Sequence, residues 1–502
     1  MPPFSKLLIA NRGEIAVRVA RGCRELGVQT VAVYSDPDRG APHVRAADQA
    51  FPLGGTTAAE SYLRGGRIIE IALAAGAEAI HPGYGFLAEN ADFAQACADA
   101  GLVFVGPPPS AMRAMGSKTA ARTVMQAAGV PVVPGTLDPI ATAEEAVSIA
   151  EDIGYPIALK AVSGGGGKGM RVVERPEDLI SSFRQASDEA AAAFGDPSMY
   201  LERLVVRPRH VEIQILADHH GNVVHLGERE CSVQRRHQKL VEESPSPAVT
   251  PELRAQMGEV AVTAARAVGY TNAGTCEMLL DQSGEFFFLE VNARLQVEHP
   301  VTELVTGMDL VHWQLRVASG EPLGFTQDDV RMRGHALECR IQAEDPFGRF
   351  FPSIGTVTAL REPAGPGIRI DGALESGQAV TPLYDSLLAK LIVWAEDRPT
   401  ALARMYRALG EYGVLGVKTT IPFHRWLMQH PAFVAGDLDT EIVARDWQPS
   451  EELSPELTEQ AAILAALSAH FGRARQAPVS KPAGVEENRW LSFARRAGLR
   501  LP

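Results

Sequence analysis

The sequence predicts an α/β chain, α+β overall, in which a parallel-sheet lobe comes first, a glycine-bearing segment second and a large mixed-sheet lobe third. Three observations carry that expectation. Short apolar runs alternate with helically spaced residues near the N-terminus. A glycine run, Gly164-Gly165-Gly166-Gly167, separates two strand-like runs, and hairpin signals follow beyond residue 202. Strands joined by helices pair parallel, whereas strands joined by tight turns pair antiparallel.

In the first lobe, Leu7-Leu8-Ile9-Ala10 reads as a buried strand, residues 14–26 as a helix and Thr30-Val31-Ala32-Val33-Tyr34 as a second strand. The turn Asn11-Arg12-Gly13-Glu14 lacks the G-x-G-x-x-G spacing of a dinucleotide loop. Residues 81–90 open with His81-Pro82-Gly83-Tyr84-Gly85, which suits the rim of a ligand site at strand ends and equally suits a tight turn. In the second segment, Ile157-Ala158-Leu159-Lys160-Ala161 and Arg171-Val172-Val173 flank the glycine run. Its bare backbone N–H groups can close over phosphates, although a flexible hairpin uses the same residues; Lys160 and Lys168 favour the anion. The spacing is not that of a Walker loop. In the third lobe, residues 211–216 and 223–226 flank Gly221-Asn222 as one hairpin. Residues 274–280 and 285–290 form another, which puts Glu277 and Glu290 on neighbouring strands, within reach of shared magnesium ions.

Most informative is the stretch from 286 to 300. Phe286-Phe287-Phe288-Leu289 gives way to polar residues at alternate positions: Glu290, Asn292, Arg294, Gln296 and Glu298. Wherever the segment stays extended, these share one face. Two carboxylates, a guanidinium and two amides on one side call for charged ligands, unless that face is simply solvated. Two acids beside an Asn suit a hard cation; an Arg with a Gln suits a small planar anion.

Composition bounds the function. A length of 502 residues suggests about three lobes, and 46% apolar with 22% charged residues is ordinary for a globular protein. No apolar run approaches the roughly 18 to 20 residues that cross a bilayer, and the first six residues show no secretory pattern. Cys23, Cys97, Cys231, Cys276 and Cys339 are scattered, which suits reduced thiols in a cytoplasmic protein. The net charge of −13 argues against a nucleic-acid partner, though not against a small anion. Arg235-Arg236-His237-Gln238-Lys239 is the sharpest basic cluster, either a surface patch or part of such an anion site. Beyond residue 450, Ser454-Pro455-Glu456 starts a helix with a stripe of Leu457, Ala461, Leu464, Leu467 and Phe471. A polar linker and a basic end follow, either a docking element or a fraying terminus.

Taken together these motifs resemble biotin carboxylase, an ATP-grasp enzyme, over residues 5–447. The most specific blocks are Asn11-Arg12-Gly13-Glu14, His81-Pro82-Gly83-Tyr84-Gly85, the glycine run, Arg209-His210-Val211-Glu212-Ile213-Gln214, Gln234-Arg235-Arg236-His237-Gln238-Lys239, Glu298-His299-Pro300 and Glu338-Cys339-Arg340-Ile341. The resemblance implies a Rossmann-like pre-ATP-grasp domain (1–115), a mobile glycine-rich lid (116–201), a large ATP-grasp lobe (202–330), a C-terminal domain (331–450) and a helical or linker tail (451–502). It implies ATP- and bicarbonate-dependent carboxylation of biotin through carboxyphosphate, the first half-reaction of an acyl-CoA carboxylase.

Carried over residue by residue, the resemblance puts Lys118, Lys160, Gly166 and Gly167 on the ATP phosphates. Glu202, Arg203, Leu204, Val205, His210, Gln234 and His237 fall around the nucleotide. Glu277, Glu290 and Asn292 would hold Mg2+ or Mn2+, with both acids also facing ATP. Lys239, Arg294, Gln296 and the Val297 backbone would bind bicarbonate, with Glu298 as the base. Tyr84 and Arg340 would face biotin, Arg340 stabilising its enolate. The implied partners are a biotin carboxyl carrier protein, a second copy of the chain and a carboxyltransferase subunit. Two departures are Ala293, where the family usually has Thr, and Leu295 beside it; neither side chain need touch a ligand. Residues 345–353 look closer to acyl-CoA carboxylase α chains, yet no Ala-Met-Lys-Met biotinylation site occurs here. Biotin is therefore expected on another polypeptide, unless the chain is a truncated α subunit. The rival readings are another ATP-grasp carboxylate–amine ligase and a non-catalytic ATP-binding subunit.

Overall fold

The computed structural model describes residues 2–449, apart from residues 117, 137, 141 and 163–169; side chains 118–120 and 193–194 are likewise left aside. The expected glycine loop and the whole 451–502 tail thus lie outside the described residues.

The N-terminal sheet is parallel, built from β1 (Lys6–Ile9), β2 (Gln29–Tyr34), β3 (Gln49–Pro52), β4 (Ala79–His81) and β5 (Val103–Phe104) in the order β3-β2-β1-β4-β5. Helix α1 (Gly13–Glu25) crosses from β1 to β2, and Gly13 supplies the left-handed turn (φ 66°) that lets the chain enter it. The strands are too apolar to face water, so helices cover both sides.

A three-stranded antiparallel sheet follows, with β6 (Ile157–Ala161) between β7 (Met170–Val173) and β8 (Met199–Arg203). Helices α2 (Ala143–Ile153) and α3 (Leu179–Phe194) pack on it around Leu159, Phe183 and Leu201.

The largest sheet has eight strands. Its members are β9 (Arg209–Ala217), β10 (Val223–Arg235), β11 (Gln238–Ser244), β12 (Asn272–Leu280), β13 (Phe286–Asn292), β14 (His335–Gln342), β15 (Ile368–Gly372) and β16 (Leu387–Ala395). They run β13-β12-β9-β10-β11-β14-β16-β15, every neighbouring pair antiparallel, so the sheet expected to be mixed is antiparallel throughout, as the hairpin turns that join several of its strands require. Both hairpins read from the sequence are present. A third joins β10 to β11 through Arg236 and His237, both left-handed (φ 50° and 62°), as a two-residue turn demands.

One face of this sheet is greasy. Val241, Leu337, Cys339, Ile341, Leu391 and Val393 pack there against α7 (Arg398–Glu411) and the helices after it. The other face carries ladder partners of opposite character: Glu290 opposite Glu277, Glu277 opposite Glu212, Glu212 opposite Arg229, Glu242 opposite Glu338, Arg340 opposite Lys390 and Lys390 opposite Asp371. Because successive residues alternate faces, a strand can bury a core and build a charged site at once. No helix among the described residues is long and apolar enough to cross a membrane.

Candidate active site

Over that charged face lies a cavity of about 850 Å³. Every described residue that the resemblance puts in the site lines it, from Tyr84 and Lys160 to Arg340, except Glu298; of the basic cluster, His237 and Lys239 reach the cavity, whereas Arg235 turns to the Arg349 carbonyl and the Phe350 ring. Glu298 sits just beneath, fully buried and bonded to two lining residues, Lys239 and Arg340. Lys118, Gly166 and Gly167 are not placed, since they fall among the residues left aside.

Local backbone explains the convergence. β13 ends at Asn292, so the alternation read over residues 286–300 holds for Glu290 and Asn292 only. Arg294 to Glu298 then follow an irregular path into the helix α5 (His299–Thr306), which Pro300 helps to start. Their side chains meet the strand residues all the same. Arg294 donates to Asn292 Oδ1 (3.0 Å), Gln296 Oε1 (2.7 Å) and Glu89 Oε2 (3.0 Å), which holds its guanidinium plane fixed at the cavity wall.

Lys239 is the electrostatic centre. Its ammonium lies 2.5 Å from Glu212, 2.8 Å from Glu277 and 2.7 Å from Glu298. Burial opposes its charge, but the three acids outweigh burial and hold its proton well above the ordinary lysine range. Burial likewise favours a protonated Glu298, yet Lys239, Arg340 and Arg229 keep that carboxyl well below its usual range. Arg340 bonds Glu298 Oε2 (2.9 Å) and Glu242 Oε1 (2.5 Å). Burial, with Glu298 adding to it against Arg340, pushes Glu242 up to about 7. Lys160 pairs with Glu202, and Glu202 also takes Arg122. Tyr84 donates its hydroxyl to Glu14.

The donor set fits a hard divalent cation. Glu277 and Glu290 are ladder partners and Asn292 stands two residues beyond Glu290 on the same strand, so three oxygen-bearing side chains converge there; Asn292 Nδ2 is buried without a hydrogen-bond partner among the described residues. His210 Nε2 lies 3.2 Å from Glu277 Oε2, on the same side. Another cavity, of about 520 Å³, shares no lining residue with this one; its Arg207 and Arg209 are already engaged by Asp439 (2.6 Å) and Glu230 (3.4 Å).

Sequence reading missed several groups. Glu212 and Glu242 stood within quoted or neighbouring motifs at polar positions of apolar strands, a usable signal. Glu89 lay near the end of the loop of residues 81–90. Arg229, fully buried and bonded to Glu212, Gln214, Thr275 and Thr302, left no local trace.

A parallel-sheet lobe, a small antiparallel sheet and a large sheet whose acids and cations face one cleft define an ATP-grasp ligase. Family profiles agree: biotin carboxylase N-terminal domain over residues 3–112, the ATP-binding domain of the carbamoyl-phosphate synthase L chain over 117–326, and biotin carboxylase C-terminal domain over 338–445. The biotin carboxylase of Nostoc sp. is 54% identical over 440 residues, covering 88% of this chain and 98% of that protein. Biotin carboxylase 1 of Bacillus subtilis is 53% identical over 441 residues, 88% of this chain and 98% of its own. Among solved structures, the biotin carboxylase domain dimer of Hydrogenobacter thermophilus 2-oxoglutarate carboxylase, with MgADP, ADP and bicarbonate, superposes with a TM-score of 0.83 at 48% identity, covering 89% of this chain and 99% of that one. The chain belongs to the biotin carboxylase family.

Proposed function

We propose that this chain carboxylates biotin borne on a separate carrier protein, using ATP and bicarbonate through carboxyphosphate, as the first half-reaction of an acyl-CoA carboxylase. The observation that supports this best is the meeting of Glu277, Glu290 and Asn292 with Lys239, Arg294 and Gln296 around one cavity. A site for phosphoryl transfer to a small planar anion needs those two donor sets side by side.

In this reading Lys160, with Lys118, meets the ATP phosphates, and residues 202–205, His210, Gln234 and His237 hold the rest of the nucleotide. Glu277, Glu290 and Asn292 would hold magnesium, which when bound draws charge off the phosphates. Arg294, Gln296 and the Val297 amide orient bicarbonate, and Glu298, ionised in place, takes its proton. Lys239 is shared between Glu298 and the arriving anion, so substrate that draws on its donors leaves Glu298 more basic when a base is needed. Gly166 and Gly167 would close over the phosphates and keep water from the intermediate. Biotin enters beside Tyr84, and Arg340 stabilises the enolate.

We assign lobes 1–115, 116–201, 202–330 and 331–450 to these parts, with 451–502 as a tail. A carboxyltransferase that chooses the acyl-CoA and a second copy of this chain are the further proposed partners. The test is ATP hydrolysis that depends on bicarbonate and rises with biotin. Glu298→Gln and Arg294→Ala should each lower it about 100-fold or more; full activity in either variant would reject the assigned roles.

A further inference from the structure

The turn that carries Gln296, Val297 and Glu298 is held from behind by side chains outside the cleft lining. Lys390, on β16, has no exposed surface. Its Nζ donates to the Val297 carbonyl at 2.9 Å and lies 3.2 Å from Glu14 Oε1 and 3.7 Å from Asp371 Oδ2. The preceding carbonyl, of Gln296, meets His299 Nδ1 at 2.8 Å. An amide N–H lies in one plane with the carbonyl before it. Fixing these two oxygens therefore fixes where the Val297 and Glu298 amides point.

Glu14 Oε1 does a second job, because it also accepts the Tyr84 hydroxyl. One carboxylate oxygen thus joins the aromatic ring at one side of the cleft to the ammonium that clamps the turn at the other. Three parts of the fold supply the pieces: Glu14 from the start of α1, Tyr84 from the loop after β4, and Lys390 with Asp371 from adjacent strands of the large sheet. A buried ion pair is a poor way to gain stability, since apolar side chains of similar volume serve as well or better. Here the pair links two subsites that the chain otherwise builds on separate lobes.

We propose that Glu14 and Lys390 are positioning residues that register the Gln296–Glu298 turn to Tyr84, so that the anion-activating and acceptor sides of the cleft become competent together. This rests on the function proposed above. When the two sides are out of register, carboxyphosphate meets water instead of biotin. ATP and water then give ADP and phosphate, bicarbonate is regenerated, and no carboxyl group is transferred.

The experiment measures ADP formed per carboxylated biotin, together with separate KM values. Glu14→Gln keeps a partner for Tyr84 and removes the nearer of the two carboxylate charges facing Lys390; the ADP-to-carboxybiotin ratio should rise about fivefold or more, with the ATP KM within about twofold of wild type. Lys390→Met should raise the bicarbonate KM roughly tenfold, again with the ATP KM little changed. Should Lys390→Met fail to fold, Glu14→Gln and Tyr84→Phe decide: each should uncouple, and the double variant no more than either alone. A ratio within about twofold of wild type in Glu14→Gln, or ATP and bicarbonate KM rising together, overturns the inference. A wild-type protein without bicarbonate-dependent hydrolysis would instead remove the proposed function itself, and this inference with it.

Discussion

Lys239 has three donors and three carboxylates within 2.8 Å, so each donor has a carboxylate partner that an arriving anion must compete with. Replacing it by methionine keeps the volume and leaves Glu212, Glu277 and Glu298 facing one another without their cation. Breaking a buried pair on one side costs about 3 to 5 kcal/mol, so Lys239→Met should unfold at clearly lower denaturant. The acids then cannot all stay ionised, and a protonated Glu298 is no base. The kcat/KM for bicarbonate should fall about 100-fold or more, read by steady-state kinetics at pH 7. Stability unchanged beside lost activity would mean that Lys239 is less tightly held than its contacts indicate. Lys239→Arg restores the charge in a planar fork and should recover stability better than turnover.

Among elements, β10 teaches most about what the sequence discloses. The run Val223-Val224-His225-Leu226 reads as a short strand, yet the strand continues to Arg235. Gly227 (φ 83°) sits in an irregularity between His225 and Glu228, and the charged run Glu228-Arg229-Glu230 follows it. All three charges are buried because partners from outside β10 meet them: Arg254 on Glu228, Glu212 on Arg229, Arg209 and Ser246 on Glu230. Alternation is local and was legible, as in the Glu277–Glu290 ladder; compensation of buried charge is tertiary and was not. Lys390 and Glu14 were hidden for the same reason, since a lone lysine in an apolar strand gives no sign of what neutralises it. The helix α4 (Pro251–Ala267) yields a reversed expectation. Gly→Ala inside a helix ordinarily gains about 1 kcal/mol. At Gly258 the new Cβ would lie 2.3 Å from His225 Nε2, beneath the β10 irregularity. Overpacking of that kind costs about 1 to 3 kcal/mol, so Gly258→Ala should lower the melting temperature; a rise would show that the His225 ring moves aside freely.

Across the whole molecule, buried imidazoles tie the lobes to the cleft. His81, at the end of β4, accepts the Gly83 amide at Nδ1 (3.0 Å) and meets Gln314 of α6 (Leu310–Ala318) through Nε2 (3.2 Å). The two bonds fit one neutral tautomer, with the proton on Nε2, and so set the loop that carries Tyr84. His424 plays a comparable part, its Nε2 lying 2.8 Å from the Arg340 carbonyl. Burial, outweighing the hydrogen bond each makes, lowers both from 6.5 to about 4. The folded chain therefore binds their protons less readily than the unfolded chain does. Their contribution is fully present above pH 6.5 and is lost as pH falls through 6.5 towards 4. For His81 the loss amounts to roughly 3 kcal/mol over that interval. Glu242, raised to about 7, acts in the opposite sense, being easier to keep folded as pH falls from 7 towards 4.5, so the comparison has to be with a variant that leaves Glu242 alone. His81→Asn retains an acceptor near the Nδ1 position and cannot take up a proton. The stability margin of wild type over His81→Asn, from denaturant titrations, should be constant above pH 6.5 and shrink by about 1.4 kcal/mol per pH unit below it. A margin that does not change between pH 7.5 and 4.5 would mean that the imidazole keeps its ordinary affinity for protons, and that the loop bearing Tyr84 is held by something other than a neutral His81.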